Sequence, residues 1–303
     1  ALFDVLRLAR GMTYKSAVAE TGLGGGKAVV IGDPSRAKSE ALFRAMGRFV
    51  DHLGGLYVTA ADMNIGDPEL ASVREETRWV AGLGGVPGSS GNPSPYTALG
   101  CLAGFRALLE EVLGAGSFEG RRFLLQGVGA VGGRMAELLR ARGARVTVCD
   151  IDPARVERLV REHGCEAVDD AAHLDVECDV YAPCARGATL NDETIPRLRC
   201  KAIGGCANNQ LLEPRHAELL DERGILYAPD YVINAGGVVN ISAELLPGGY
   251  DEQVSLRNIE RIHDNLRRVF AIAREQRIST REAASRLAEQ RLAAGRAARR
   301  SGS

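Results

Sequence analysis

Apolar residues in the middle of this chain fall into short runs that end in glycine or a small polar residue. Residues 123–125 (Phe-Leu-Leu) run into Gln126 and Gly127, and residues 145–149 (Arg-Val-Thr-Val-Cys) run into Asp150. Residues 179–184, 200–209 and 225–230 repeat the arrangement, ending in Pro183-Cys184, Asn208-Asn209 and Pro229-Asp230. Between the first two runs, Val131, Met135, Leu138 and Leu139 recur at helical spacing. Strands of this length alternating with helices predict a parallel sheet whose carboxyl edge carries small and polar groups. The N-terminal part alternates too. Residues 2–9 and 38–53 read as helices, residues 28–31 and 56–59 as strands. Toward the C-terminus, residues 254–270 and 280–291 read as helices packing back on the rest, and the last dozen residues, ending Ser301-Gly302-Ser303, as a frayed tail. A helical pattern already under way at Ala1, with no Met and no cap, gives the expectation that the native chain begins further upstream.

A chain of 303 residues, 45% hydrophobic and 25% charged, is long enough for two globular domains. A formal net charge of −1 argues against nucleic acid or an anionic membrane as the main partner. No run is apolar enough for a membrane span and no signal-peptide pattern opens the chain, so the expected setting is the cytoplasm. The seven cysteines form no CxxC and several fall inside strands, which reads as reduced core thiols. The five histidines do not cluster with them in sequence, so no metal site is expected.

Two glycine-rich segments carry the candidate chemistry. Gly127-Val128-Gly129-Ala130-Val131-Gly132-Gly133 follows a strand and opens a helix, the context that turns a weak GxGxxG match into a dinucleotide-binding loop. The first glycine makes the turn, the second admits a pyrophosphate, and the third lets helix pack on strand. The anion then rests on the helix N-terminus. Asp150, about 20 residues on, suits the adenosine ribose hydroxyls and repels a 2′-phosphate, which favours NAD over NADP. Asp152 fits the capping of the next helix better than Asp150 does. The second segment is Gly24-Gly25-Gly26-Lys27, with Lys15 twelve residues before that lysine. Glycines allow close approach and φ > 0, so the ammonium behind them is held at a fixed point, and a crowded lysine can lose its proton near neutrality. The bland alternative is a tight turn with one solvated lysine. Asn208, Asn209 and Asn234 lie at strand ends, where their amides suit cofactor or substrate, or ordinary turns.

Taken in order, Lys15, Gly24-Gly25-Gly26-Lys27, Thr59-Ala60-Ala61-Asp62, Ser89-Ser90-Gly91-Asn92-Pro93-Ser94-Pro95, the Gly127 loop, Asn208-Asn209 and Asn234-Ala235-Gly236-Gly237 resemble the leucine/valine/phenylalanine dehydrogenases of the glutamate dehydrogenase superfamily, nearest the leucine type. The resemblance implies a two-domain α/β fold: an incomplete substrate and oligomerisation domain (1–96), a Rossmann-type NAD domain (97–260) and C-terminal helices (261–303) crossing the cleft. It implies NAD-dependent, reversible oxidative deamination of an apolar L-amino acid to a 2-oxo acid, by a homo-oligomer, octamer or dimer. Lys27 and Asp62 would be the catalytic pair, with the pKa of Lys27 lowered by the second lysine. Lys15 would hold the substrate carboxylate, and Asn234 and Ala60 would also face the substrate. Leu266 and Val269 would line the side-chain pocket or simply pack the core. Thr97, the Gly127–Gly133 loop, Asp150, Ala207 and Asn208 would contact the cofactor.

Substrate choice stays open between sub-patterns. Ala61 stands where leucine-type enzymes commonly carry Glu, and Asn64 fits the phenylalanine type. A glutamate-specific enzyme needs a further cation that the motifs do not supply. An inactive NAD-binding module is disfavoured by the presence of Lys15, Lys27 and Asp62 together. A 2-hydroxy-acid dehydrogenase would want a His–carboxylate pair, and no histidine falls in a motif.

Overall fold

A computed structural model describes residues 1–62 and 64–301, the side chains of Asp4, Arg299, Arg300 and Ser301 apart. The chain opens with helix α1 (Leu2–Ala19), a short α2 (Pro34–Ala37), α3 (Glu40–His52) and α4 (Asp67–Arg74). The long helix α5 (Ser94–Leu113) leads into β1 (Arg122–Gln126), α6 (Ala130–Arg140), β2 (Arg145–Cys149), α7 (Pro153–His163) and β3 (Glu166–Ala167). Then come β4 (Glu177–Pro183), β5 (Arg199–Ile203), α8 (His216–Glu222), β6 (Leu226–Tyr227), α9 (Asp230–Ile233) and α10 (Gly236–Ser242). Two long helices, α11 (Glu252–Gln276) and α12 (Thr280–Ser301), close the described chain.

All six strands form one parallel sheet in the order β3-β2-β1-β4-β5-β6. That is the dinucleotide-binding order, which reverses between β1 and β4 and opens a crevice beyond their carboxyl ends. Successive strand residues alternate between two cores, as the period of two demands. Phe123, Leu125, Val180 and Ala182 face a core shared with α5, α6 and α11. Leu124, Tyr181 and Ile203 face a second core with Leu220 of α8. Each such leucine or phenylalanine contributes about 1.5–3 kcal/mol by burial, so the two layers fix the sheet edge on which the site is built.

The C-terminal helices return to the first helix, as expected. Asn265 of α11 donates to the Val18 carbonyl at 2.9 Å, and Arg291 of α12 donates to Asn265 Oδ1 at 2.8 Å and to that same carbonyl. Tyr14 of α1 donates to Glu289 at 2.8 Å. The bonds from Asn265 and Arg291 satisfy the Val18 carbonyl in the last turn of α1, which has no partner within the helix.

Three expectations are corrected. Residues 28–31 and 56–59 are not strands: only Thr59 makes a bridge, to Val80. Val29, Val30 and Ile31 have strand-forming side chains but no ladder among the described residues, and stand 53%, 43% and 81% exposed. A strand is stabilised by its partner, so propensity alone does not make one. The tail is not frayed through Ser301, because the Ala- and Arg-rich sequence continues α12, in line with its helix propensity. The remainder of that call, Gly302 and Ser303, lies outside the described residues.

α10 is set against α5 by glycine. A Cβ on Gly236 would fall 2.2 Å from the Tyr96 carbonyl oxygen, and one on Gly100 2.7 Å from Ile262 Cδ1 and 3.0 Å from Gly236 Cα. An exposed helical Gly→Ala change gains about 1 kcal/mol. At Gly236 the clash is with backbone, so Gly236→Ala is expected to destabilise by roughly 1–3 kcal/mol in urea unfolding. A stabilising outcome would show that the two helices are not in this close contact.

Candidate active site

Lys15 lies on α1 and keeps only 9% of its surface. Its ammonium donates to Asn208 Oδ1 at 3.3 Å, just beyond β5. The same oxygen accepts from Asn234 Nδ2 at 2.8 Å, and that amide also donates to the Cys206 carbonyl at 3.1 Å. Three residues separated by up to 219 positions thus meet at the carboxyl edge of the sheet. Asn234 Oδ1 is buried and has no hydrogen-bond partner among the described residues. A buried acceptor left so is costly, and an ammonium or amine donor from a ligand would satisfy it.

The electrostatics are those of a desolvated cation. Burial pulls the Lys15 ammonium down to about 8; the Asp230 carboxylate works against this, and the charge of Lys27 adds to it. Asp230 opens α9 and accepts the Asn209 amide. Its own carboxyl is pushed up by burial, an effect that Lys15 offsets. Asp230 is the residue the sequence reading missed as a site group, noting it only as a strand-end residue. A carboxylate at the end of the fifth apolar run, four residues before Asn234, was the available signal.

Lys27 reaches the same region by another route. A Cβ on Gly25 would lie 2.1 Å from the Thr13 amide nitrogen, and one on Gly26 would lie 2.7 Å from the Tyr57 ring. Close approach to α1 is what these glycines provide. The positive φ expected of them belongs instead to Gly22, at 76°. Lys27 contacts Asp62 directly. Its pKa is lowered by burial, not by the second lysine as expected; the repulsion between the two registers on Lys15. Asp62 sits in a tight turn, its amide donating to Ile65 O at 3.1 Å and its carbonyl accepting from the Ile65 amide at 2.9 Å, with Asn64 at φ 61°. Thr59, paired to Trp79 O and Ala81 N, anchors this segment and with it the partly buried Ala60.

The cofactor loop has the expected form. Gly127 has φ 95° and touches Ala185, and a Cβ on Gly132 would fall 2.1 Å from the Gly127 carbonyl. At Gly129 a Cβ would meet nothing nearer than Arg155 at 3.7 Å, so a ligand can approach the backbone there. Val128, Gly129 and Ala130 line a cleft of about 450 Å³ with Asn92, Arg134 and Arg155. Val131 and Gly133 continue α6. Asp152 caps α7, as expected. Asp150 accepts from the Val128 amide at 2.7 Å and the Asp152 amide at 2.9 Å, holding the loop against the end of β2. Ala207 is fixed by its amide on Pro183 O at 3.1 Å. Thr97 lies against Gly237, where a Cβ would come within 2.5 Å of its Oγ1. An open backbone at a helix N-terminus with a carboxylate at the next strand end fits a dinucleotide.

Leu266 and Val269 are fully buried in the core beneath α5, Leu266 against Gly104. The structure gives them a packing role. Sequence reading also missed Glu244, whose Oε1 accepts from Gly82 N (2.9 Å), Ser90 N (2.7 Å), Ser90 Oγ (2.5 Å) and Ser89 Oγ (3.3 Å). It ties the Ser89–Pro95 stretch to the end of α10.

Because Asp230 raises the Lys15 pKa, Asp230→Asn should move the titration of Lys15 below 8. Carboxylate ligands need the charged lysine, so their affinity is full below the Lys15 pKa and falls as pH rises through it. Isothermal titration across pH should therefore find the midpoint shifted to lower pH in the variant. An unmoved midpoint would take Asp230 out of this role.

The profile described as "Glu/Leu/Phe/Val dehydrogenase, dimerisation domain" matches residues 1–79, and "Glutamate/Leucine/Phenylalanine/Valine dehydrogenase" matches residues 150–300. Leucine dehydrogenase of Geobacillus stearothermophilus is 50% identical over 99% of this chain and 81% of its own length. Leucine dehydrogenase of Bacillus subtilis (strain 168) is 47% identical over 96% and 80%. The crystal structure of L-tryptophan dehydrogenase from Nostoc punctiforme superposes with a TM-score of 0.85 at 40% identity, covering 97% of this chain and 84% of that one. With both ends of the chain matched and identity sustained along its length, the protein belongs to the Glu/Leu/Phe/Val dehydrogenase family, amino-acid dehydrogenases that work with a nicotinamide cofactor.

Proposed function

We propose that this enzyme catalyses the reversible, NAD-dependent oxidative deamination of branched-chain L-amino acids to 2-oxo acids and ammonia. The observation that carries the reading is the convergence of Lys15, Asn208 and Asn234 with the Lys27–Asp62 pair at one sheet edge. Lys15 pairs with the substrate carboxylate, and the unpartnered Asn234 Oδ1 accepts from the substrate nitrogen. Bound nicotinamide supplies the hydride acceptor for the substrate Cα. Lys27, its pKa lowered, polarises the oxygen of the water-derived adduct, and Asp62 exchanges protons with nitrogen and water. Ala60 leaves room for a branched side chain. Leu266 and Val269 act on that pocket through the packing of α11.

In this reading residues 1–96 bind substrate and build a homo-oligomer, octamer or dimer, residues 97–260 bind NAD, and residues 261–303 close over both. No described helix is long and apolar enough to cross a membrane, and the reading places the enzyme in the cytoplasm.

Lys27→Ala is expected to lower kcat by well over tenfold while NADH binding, followed by fluorescence, persists; Asp62→Asn should behave alike. Lys15→Ala should act mainly on KM, since a carboxylate clamp serves ground and transition states equally. A Lys27→Ala enzyme with a tenth or more of the wild-type kcat would remove that residue from the chemistry.

For the substrate, one methylene in an apolar pocket is worth about 1–3 kcal/mol, so kcat/KM for Leu, Ile and Val should agree within roughly two orders of magnitude. Glutamate would bury an unpaired carboxylate and should be far poorer. A kcat/KM for glutamate equal to that for leucine overturns the assignment. For the cofactor, Asp150→Ser should weaken NAD and narrow the gap to NADP. A wild-type preference for NADP would remove Asp150 from the ribose.

A further inference from the structure

The sequence separates Cys149 from His173 by 24 positions, and that distance argued against a metal site. The fold cancels it. Cys149 ends β2, while Asp170 and His173 lie on the turn that follows β3, the neighbouring strand. One ligand atom from each of the three lies within 4.8 Å of the others. Cys149 and His173 are buried, and Asp170 Oδ1 is buried, 3.7 Å from His173 Nδ1 and with no hydrogen-bond partner among the described residues. The Cys149 thiol is hydrogen-bonded with the Asp170 carboxyl and makes a long contact, 3.8 Å, to the Leu125 carbonyl. The His173 ring is held by the Asp170 carbonyl at Nδ1, by Tyr181 Oη at 3.3 Å from Nε2, and by stacking on the Tyr181 ring.

We propose that Cys149, Asp170 and His173 bind one zinc-class divalent cation. A thiolate, an imidazole and a carboxylate are the donor set of a borderline-soft ion, and three protein ligands leave a fourth position for water. The i,i+3 spacing of Asp170 and His173 lets one short turn supply two ligands; Tyr181 orients the imidazole through Nε2, and Nδ1 exchanges its contact with the Asp170 carbonyl for the metal. The cation would satisfy the orphaned Asp170 oxygen. Binding exchanges the Cys149 S–H proton for the metal–sulfur bond and releases that proton to the buffer; nothing is oxidised. The groups facing the thiol are Asp150, Asp170, His173 and Tyr181, and burial with Asp170 holds it protonated until a metal arrives. The bound ion would fasten the end of β2, next to Asp150, to the connection between β3 and β4. This site is separate from the deamination chemistry.

The test is titration of the full chain with Co²⁺, then displacement by Zn²⁺. A thiolate-to-cobalt charge-transfer band saturating at one equivalent, release of one proton and loss of the band with Cys149→Ser are expected. Asp170→Asn and His173→Gln should each weaken zinc by at least about tenfold. These readouts do not depend on turnover or on foldability of any one variant. No charge-transfer band, or a band that survives Cys149→Ser because other thiols bind the metal, overturns the proposal.

Discussion

Burying the Lys15 ammonium is the constraint on which the rest of this site depends. A desolvated lysine loses its charge unless neighbours supply compensation, and here the compensation is partial. Asn208 Oδ1 accepts from it, the Asp230 carboxylate stands behind it, and Lys27 opposes both. The ammonium is left at about 8, charged at neutrality and close to its own midpoint. A carboxylate ligand would complete the charge balance. An ion pair with both members present is sound where one member alone is not.

Meeting that constraint requires elements from the whole chain. Lys15 comes from the first helix, whose end is held by Asn265 and Arg291 of the last two. Asn208 and Asp230 follow strands whose positions are set by parallel pairing of β4, β5 and β6, and Asn234 ends the short helix α9 that Asp230 opens. Gln210, fully buried, donates to the carbonyls of Gly205 and Ala207 at 2.9 and 3.0 Å and so stiffens the loop that presents Asn208. Glycine at 236 brings α10 against Tyr96, which fixes the approach of Asn234 from the other side.

What was legible in the sequence followed from local rules. The strand–glycine–helix passage at residues 123–133 announced its turn, and Asp152 caps α7 as its position suggested, whereas the hold of Asp150 on the Val128 amide was not read from the sequence. What was not legible depended on contacts across the fold. Asp230 matters because Lys15 comes to lie near it, and its place at a strand end before Asn234 marks an edge without naming that partner. Residues 28–31 have the composition of a strand and the exposure of a surface, because pairing is decided by a partner and not by the strand itself. The glycines before Lys27 were recognised with both uses, close approach and positive φ, and the sequence did not separate them. A turn and a close approach call for the same residue, and only Thr13 and Tyr57 distinguish the two. Leu266 and Val269 carried two readings from sequence because helical spacing places a residue on a face without saying what that face meets.

The exposures of the three charged groups form an ordered series that suits a division of labour. Lys15 keeps 9% of its surface, the Lys27 side chain 23% and the Asp62 side chain 51%. A carboxylate clamp gains from depth, since Coulomb attraction strengthens as water is excluded. A group that passes protons to and from solvent must stay reachable. Asp62 has that reach because its turn is pinned at Thr59 and Ile65 and not buried. Glu244 contributes from the far side, gathering the amides of Gly82 and Ser90 on one oxygen and so holding the segment that enters α5. Lys27 lies between the other two in depth and in contact with Asp62, so in the proposed reaction it is the group through which a buried reacting centre would exchange protons with an exposed carboxylate.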